Sequence, residues 1–330
     1  MRLSLVLQCL IRQCPTRLAG VAAVLALAAP ASAQVSLLSR EVQNAMTATG
    51  STWNHSLRPD LSKMREAFAA LHAAAPKDGV VVTKDVAYGP YPRNILDVYK
   101  PTRGASPTPV VIFVHGGAYV GGDKSYYGNV TTWFARQNVL GINATYRLAP
   151  AAKWPAATED IAGMVKWTRE NAAKFGGDPN RIVLIGHSAG ATHVANYIFN
   201  KGLQPSGAPG VASTVLISGR YRLSYDSSDP NGKAMQAYFG DDLSVYGDRS
   251  AITHIKDGAR IPVFTVIAEY ELAGLDIMGA ELLAGLCARD ASCPRFTQLA
   301  KHNHGSEVFA FSTPDEQLGR EILDFMERGR

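Results

Sequence analysis

The sequence predicts an α/β protein with a mostly parallel sheet that carries helices on both faces. Short all-apolar runs, typical of strands buried on both faces, alternate with amphipathic segments along most of the chain. The composition is that of a globular protein, with 330 residues of which 46% are hydrophobic and 18% are charged. Together these observations exclude a disordered or fibrous chain and leave ample length for a large core.

The predicted elements follow one another in a regular order. Strands are predicted at residues 80–88, 95–99, 110–114, 139–144, 182–185, 211–217, 261–267 and 296–300. Helices are predicted at residues 61–75, 127–137, 158–175, 189–200, 280–289 and 315–328. The first two strands are separated by Gly89, Pro90 and Pro92 and are expected to pair antiparallel. In the parallel part of such a sheet, functional residues follow the carboxyl ends of the strands.

Residues 1–33 have the layout of a secretory signal. Arg2, Arg12 and Arg17 are followed by an uncharged apolar run at residues 18–29 and by small residues at 31–33. The run is shorter than the roughly 20 residues that a membrane-spanning helix needs. We therefore expect cleavage after Ala33 and export to the periplasm or the medium, with no integral membrane segment in the mature chain. The alternatives are an uncleaved anchor or a buried helix.

Removal of this segment also changes the charge and the cysteine content. The formal net charge is +5, and without the three arginines 30 basic residues stand against 28 acidic ones. A charge this small gives no reason to expect nucleic acid or an anionic membrane as a partner. Only Cys287 and Cys293 remain, and in an oxidising compartment they form either a local disulfide or two unpaired thiols.

The candidate nucleophile is Ser188, at the centre of the sequence GHSAG at residues 186–190. This G-x-S-x-G pattern lies between a predicted strand and a predicted helix, where a sharp turn presents the serine at the top of the sheet. Small residues on either side allow neighbouring chain to approach without a clash. The alternative is a tight turn with an incidental serine.

A glycine-rich loop follows the strand at residues 110–114 and reads HGGAY at residues 115–119. Gly116 and Gly117 can bring their N–H groups close to a ligand oxygen, and the N–H of Ala189 follows the serine. These three donors are the predicted oxyanion hole, which stabilises the tetrahedral intermediate of acyl transfer. The alternative is a loop whose glycines serve only the path of the chain.

The ordered motifs HGGAY, YRLAP (residues 146–150), WPAATED (residues 154–160) and GHSAG resemble those of the α/β-hydrolase serine esterases. The resemblance is strongest to the hormone-sensitive-lipase-like and feruloyl-esterase-like carboxylesterases, and it extends from about residue 88 to the C-terminus. It implies the α/β-hydrolase fold, with an eight-stranded, mostly parallel sheet, small cap segments and a Ser-acid-His triad. Two positions depart from the family pattern, Ala118 and Ala191, where many relatives carry glycine.

The acid and the base of the triad are expected after the serine, in that order. Three carboxylates follow the strand at residues 261–267: Glu269, Glu271 and Asp276. The resemblance places the acid at Glu271; Asp276 is the alternative, and Glu269 is expected to hold the loop. In relatives the histidine begins an H-x-S or H-x-D turn, which His304 matches, whereas His302 is expected to end the last strand.

These residues predict a secreted serine carboxylesterase for small-molecule esters with short-chain or aromatic acids. An amidase such as an arylformamidase, a polysaccharide deacetylase and a non-catalytic binding protein on the same scaffold are the alternatives. No cofactor or metal is expected, because the chain has no HExxH, Walker or dinucleotide-binding motif, and a metal pair at His302 and His304 is disfavoured. Oligomeric state stays open.

The predicted organisation is a signal peptide at residues 1–33, an N-terminal helical or cap segment at 34–79, and a catalytic domain at 80–330. Residues 220–258 of that domain are a candidate cap insertion. Trp53, Tyr119, Tyr126 and Tyr127 are candidates to line the substrate pocket, although ordinary packing explains them equally well.

Overall fold

Eight strands form one sheet at the centre of the described chain, whose computed structural model covers residues 35–50, 57–205, 207–229 and 231–329. The predicted signal peptide and Trp53 lie outside these residues. The strands are β1 (Val80–Ala87), β2 (Ile95–Pro101), β3 (Thr108–Val114), β4 (Leu140–Ala144), β5 (Gly177–His187), β6 (Ser213–Ile217), β7 (Val263–Tyr270) and β8 (Arg295–Asn303).

The strand order is β1-β2-β4-β3-β5-β6-β7-β8, and β2 runs in the opposite direction to the other seven strands. The predicted antiparallel opening and the mostly parallel, eight-stranded sheet are both confirmed. In the central strands the register pairs Val114 with Gly186 and His187 with Ile217. The glycine-rich loop and the GHSAG turn therefore leave the sheet side by side, at the carboxyl ends of β3 and β5.

Helices cover both faces of the sheet. They are α1 (Arg40–Gly50), α2 (Leu57–Ala74), α3 (Gly128–Arg136), α4 (Ala156–Asn171), α5 (Ala189–Phe199), α6 (Gly232–Phe239), α7 (Tyr246–Arg249), α8 (Leu275–Asp290), α9 (Ser306–Phe309) and α10 (Gln317–Arg328). Short 3-10 turns lie at Lys124–Tyr126, Ala172–Phe175, Lys201–Leu203, Leu243–Val245 and Ala251–His254. None of the helices within the described ranges combines the length and the apolar character that crossing a bilayer requires.

The alternation of side chains along each strand divides the core into two layers. Ile112 and Leu184 face the layer that α4, α5 and α8 cover. Phe113 and Ile185, one position further along the same strands, face the layer that α1, α2, α3 and α10 cover. Because both faces are covered, the central strand β3 is apolar at every position from Val110 to Val114. The sheet is thus rigidly held from both sides beneath the turns that follow it.

The N-terminal helices pack against the end of β8. The side-chain amide of Asn303 donates to the carbonyl of Met46 in α1 at 2.8 Å, and Met64 of α2 lies 3.2 Å from the same nitrogen. Farther along α2, an imidazole nitrogen of His72 lies 2.8 Å from the carbonyl oxygen of Phe309. These contacts hold the turn between β8 and α9 from outside the sheet.

Two element boundaries differ from the sequence prediction in ways that affect the site. Helix α8 begins at Leu275 rather than at residue 280, because Leu275, Leu282 and Leu286 form one buried stripe that the small Gly279 interrupts in the sequence. Strand β8 continues to Asn303 rather than to residue 300. The disulfide Cys287–Cys293 connects the last turns of α8 to the approach to β8.

Candidate active site

Ser188 lies on the turn between β5 and α5, in a strained backbone conformation. Its φ of 56° and ψ of −123° are rare for a residue with a side chain, and its N–H donates to the carbonyl of Ile217 at 2.9 Å. Two residues later, a Cβ atom on Gly190 would come within 2.3 Å of the carbonyl oxygen of Val114. The turn is therefore possible only with glycine at 190, as the motif required.

The structure brings together Ser188, His304 and Glu271. The Ser188 hydroxyl lies 2.8 Å from Nε2 of His304, and Nδ1 of His304 lies 2.6 Å from Oε1 of Glu271. In the neutral tautomer that fits both contacts, Nδ1–H donates to the carboxylate and Nε2 accepts the serine proton. Glu271 is fixed in turn by the N–H of Leu272, which donates to Oε1 at 2.8 Å. This is the geometry of a serine nucleophile with its base and orienting acid.

The other two carboxylates of this region point elsewhere. Glu269 lies at the end of β7, where its Oε2 accepts the N–H of Lys301 at 2.6 Å and so connects β7 to β8. Helix α8 begins earlier than the sequence predicted, so Asp276 lies in its first turn rather than in the loop before it. The side chain of Asp276 is exposed there. Among the three candidates that the sequence offered, the geometry favours Glu271.

A fourth carboxylate, Glu307, lies in the site although sequence reasoning gave it no role. It is completely buried in α9, with Oε1 at 3.1 Å from Nε2 of His187 and at 3.8 Å from Nδ1 of His304. Its Oε2 accepts the Ser218 hydroxyl at 2.9 Å. Burial, together with the negative charge of Glu271, raises the pKa of Glu307 well above its ordinary value. The only sequence signal was its i, i+3 spacing from His304.

His187 connects this buried acid to the backbone of the catalytic turn. Its Nε2 lies 2.9 Å from the carbonyl oxygen of His304, and since a carbonyl can only accept, Nε2 carries the proton. Burial lowers the pKa of His187 well below its ordinary value, and the neighbouring His304 adds to the effect. A neutral His187 therefore holds the His304 turn in place.

The loop at residues 115–119 places Gly116 directly beside Ser188. A Cβ atom on Gly116 would lie 2.8 Å from the Cβ of Ser188, so no larger residue fits there without moving the serine. Ala118 and Tyr119 both have positive φ, of 50° and 67°. Many relatives have glycine at the first of these positions, and the left-handed backbone gives the physical reason. The hydroxyl of Tyr146 donates to the His115 carbonyl at 2.8 Å and secures the start of the loop.

Ser188 lines two spaces of very different size. One is a cavity of about 300 Å³, and the other is a pocket of about 20 Å³. Tyr126 and Tyr127 line the larger cavity together with Gly116 and Gly117, whereas Tyr119 lines the smaller pocket. The two predicted oxyanion donors of the loop thus face the same cavity as the serine, and Ala189, the third, begins α5 and has no intrahelical acceptor for its N–H.

One group of buried side chains has the composition of a metal site. Ligand atoms of His187, His304 and Glu307 lie within 4.8 Å of one another. Both nitrogens of His304, however, are engaged by Ser188 and Glu271, and Nε2 of His187 donates to a carbonyl. The donor set is therefore that of a hydrogen-bond network rather than of a metal centre.

Comparison with known proteins gives the same picture of the fold. Residues 96–200 match the family model BD-FAE. A probable isoprenylcysteine alpha-carbonyl methylesterase, ICMEL1 of Oryza sativa subsp. japonica, is 38% identical over 42% of this chain and 32% of its own length. Esterase LipQ of Mycobacterium tuberculosis (strain ATCC 25618 / H37Rv) is 25% identical over 74% of this chain and 62% of its own length.

Among solved structures, the hyperthermophilic esterase from the archeon Pyrobaculum calidifontis superposes with a TM-score of 0.66. It is 23% identical and covers 88% of this chain and 98% of its own. The predicted fold and the predicted resemblance to the α/β-hydrolase esterases are confirmed by these matches. The chain spans less than two thirds of the length of the two curated relatives.

Proposed function

We propose that this chain, a member of the α/β-hydrolase superfamily, is a serine carboxylesterase that cleaves short-chain or aromatic esters through an acyl-serine intermediate. The observation that carries the proposal is the continuous set of contacts from Ser188 to His304 and from His304 to Glu271, at 2.8 and 2.6 Å. The glycine loop beside the serine supplies the second requirement, a place for negative charge to develop.

In the first step, Nε2 of His304 takes the Ser188 proton as Oγ attacks the ester carbonyl carbon. The carbonyl π electrons move to oxygen, and this oxyanion accepts the N–H groups of Gly116, Gly117 and Ala189. Glu271 stabilises the imidazolium that forms. When the tetrahedral intermediate collapses, the proton on Nε2 passes to the leaving alcohol and the acyl group stays on Oγ.

The second step repeats this chemistry with water. His304 takes a proton from a water molecule, whose oxygen attacks the acyl carbon, and the intermediate again places its charge among the loop N–H groups. Collapse breaks the bond to Oγ, returns the proton to Ser188 and releases the carboxylic acid. The buried, hydrogen-bonded Glu271 keeps one tautomer of His304 in place through both steps.

The cavity beside Ser188 supports small substrates. Its volume of about 300 Å³ accommodates a short chain or one aromatic ring. Tyr126 and Tyr127 are among its lining residues, so aromatic side chains are available to contact a planar group there.

Hydrolysis of p-nitrophenyl acetate and butyrate tests the proposal. The purified chain from residue 34 is expected to release nitrophenol with an initial burst when deacylation is slower than acylation. Ser188→Ala is expected to lower kcat/KM by about 10⁴-fold or more. Ser244→Ala, at an exposed position, is the matched control and is expected to leave kcat/KM unchanged. Full activity in Ser188→Ala would overturn the mechanism.

We also propose that the chain is exported and cleaved after Ala33. The arginines, apolar run and small residues of the first 33 positions support this, and the Cys287–Cys293 disulfide is of a kind that persists in oxidising compartments. Mass spectrometry of the full chain expressed in a bacterium is expected to find Gln34 as the N-terminus in the periplasm or the medium. A mature protein that keeps Met1 would contradict the proposal.

A further inference from the structure

The larger cavity beside Ser188 contains a cation that the esterase chemistry does not use. Arg65 of α2 lines this cavity together with Ser188, His304 and the glycine loop. Among the described residues, no carboxylate forms an ion pair with Arg65, and no acidic side chain lines the cavity. A guanidinium with these surroundings is available to a ligand.

Two neighbouring side chains fix the position of the Arg65 guanidinium. Its central carbon lies 4.2 Å from the centroid of the Tyr126 ring, and Nη2 donates to the Ser62 hydroxyl at 2.9 Å. Both of these residues also line the cavity. A guanidinium held against a ring loses less rotational freedom when it binds, and its planar fork matches a carboxylate.

A second arginine, Arg220, lies near Ser188 but already has an anionic partner. Arg220 lines the small pocket, and its Nη2 lies 2.6 Å from Oδ2 of Asp229. The positive charge of Arg220 is therefore already matched by a carboxylate. Of the two spaces that Ser188 lines, the larger cavity therefore has an arginine that no described carboxylate pairs with, whereas the arginine of the small pocket is paired.

We propose that Arg65 makes the enzyme selective for esters that carry a carboxylate, with Arg65 binding that carboxylate in the larger cavity while Ser188 attacks the ester. This inference rests on the proposed function and adds a substrate class to it. The carboxylate belongs either to the acid part or to the alcohol part of the ester. Because Arg65 contacts the substrate at a distance from the reacting bond, it strengthens binding equally before and during the reaction and acts mainly on KM.

The test compares rigid pairs of esters that differ only in charge. Methyl 4-carboxybenzoate and methyl 4-carbamoylbenzoate place the charge or its neutral amide on the acid part. The 4-acetoxybenzoate anion carries the charge on the alcohol part of the ester, and 4-acetoxybenzamide is its neutral counterpart. In at least one pair, kcat/KM of the wild type is expected to be about 10-fold or more higher for the carboxylate, the range of a hydrogen bond to a charged group.

Arg65→Gln is expected to abolish this preference by raising KM for the carboxylate ester, so that the carboxylate and the amide of each pair are hydrolysed with similar kcat/KM. Arg65→Lys is expected to retain part of it, because it keeps the charge without the fork. Arg320→Gln is the matched control, since Arg320 also stacks on an aromatic ring, Trp133, but outside the cavity. Competitive inhibition of p-nitrophenyl acetate hydrolysis by benzoate, measured against benzamide, gives a second readout that needs no turnover of the charged esters.

No carboxylate preference in either pair together with no preferential inhibition by benzoate would overturn the inference, as would a preference that survives in Arg65→Gln. Failure of the proposed function has a different signature, in which the wild type hydrolyses neither p-nitrophenyl acetate nor any of the four esters. Thermal unfolding of each variant shows whether a loss of preference comes with a loss of fold.

Discussion

Two carboxylates face the imidazole of His304, and their surroundings give them different protonation. Oε1 of Glu271 accepts a hydrogen bond from Nδ1–H at 2.6 Å, while Oε1 of Glu307, which is completely buried, lies 3.8 Å from Nδ1. Burial and the charge of Glu271 raise the pKa of Glu307 well above its ordinary value, which favours the neutral acid in the folded protein. Its two carboxyl oxygens accept the Ser218 hydroxyl and the N–H of His187.

This difference predicts opposite results for two amide substitutions. Glu307→Gln keeps the shape of the side chain and an oxygen that accepts the N–H of His187, and its amide can donate to the Ser218 hydroxyl in place of the hydrogen bond that Glu307 accepts. It is expected to leave kcat/KM within about 10-fold of the wild type. Glu271→Gln removes the charge that stabilises the imidazolium and is expected to lower kcat/KM by about 10⁴-fold. Asp276→Asn, at an exposed position in α8, is the control and is expected to behave as wild type. A large loss in Glu307→Gln with a small one in Glu271→Gln would reverse the assignment.

The residues of the site differ in how far the sequence could predict them. Ser188 and the loop glycines lie in short motifs that follow apolar strands, so local pattern is enough to find them. Glu307 and Arg65 have no such motif, because their roles depend on neighbours from distant parts of the chain. Glu307 contacts Ser218, which directly follows β6, and Arg65 of α2 lines the cavity. Only the folded arrangement brings these groups together.

The loop after β3 has little space for a larger side chain at Gly116. Gly116→Ala would place a Cβ atom 2.8 Å from the Cβ of Ser188 and force the serine or the loop to move. We expect kcat/KM to fall by about 10²-fold or more, since a displaced loop misaligns its oxyanion donors. Circular dichroism and urea unfolding are expected to show that the fold persists.

A glycine without neighbours provides the control for that substitution. A Cβ atom on Gly247, in α7, would meet nothing within 4 Å. Gly247→Ala is therefore expected to leave kcat/KM unchanged. If Gly116→Ala were as active as Gly247→Ala, the loop would accommodate a Cβ atom beside Ser188 without loss of activity. That result would contradict the proposed role of the loop as the oxyanion hole.

The order and type of the elements could be predicted from the sequence more reliably than their ends. The apolar runs of β3 to β7 identify strands because a strand buried on both faces has little choice of residue. Helix α8 begins earlier than predicted, because its buried stripe includes Leu275 although Gly279 breaks the apolar pattern. The local sequence pattern does not predict where β8 ends either. The end of β8 is polar at His302 and Asn303, and it is held by contacts such as that of Asn303 with Met46 of α1.

Across the whole molecule, buried histidines couple stability to pH. His115, His187 and His193 are completely buried, and burial lowers their pKa values below the ordinary 6.5, to about 4 for His115 and about 3 for His193. The unfolded chain therefore takes up these protons first as the pH falls. The stability from neutral burial is complete above pH 6.5 and is lost as the pH decreases toward the folded values. The raised pKa of Glu307 has the opposite effect, since the stability that its neutral form contributes is lost as the pH rises.

His193 offers the simplest test of this coupling. Both of its ring nitrogens lack a hydrogen-bond partner among the described residues, and the ring packs against Tyr119, Tyr146 and Tyr238. Between pH 6 and 4 the free energy of unfolding is expected to fall by up to about 1.4 kcal/mol per pH unit for each such histidine. His193→Phe is expected to lower by one the number of protons taken up on unfolding, and so to reduce the slope of the unfolding free energy with pH. Urea unfolding at several pH values measures it, and an unchanged slope would show that His193 does not titrate on unfolding.

The central claim is that Ser188 is the nucleophile and that His304 activates it. Incubation with a p-nitrophenyl alkylphosphonate, followed by intact mass and peptide analysis, tests this directly. We expect one phosphonyl group per wild-type chain, on Ser188, with loss of esterase activity in proportion to labelling. Ser188→Ala is expected to show no adduct and His304→Ala only slow labelling. Labelling of a different residue, or ester hydrolysis that persists when Ser188 is fully modified, would contradict the account.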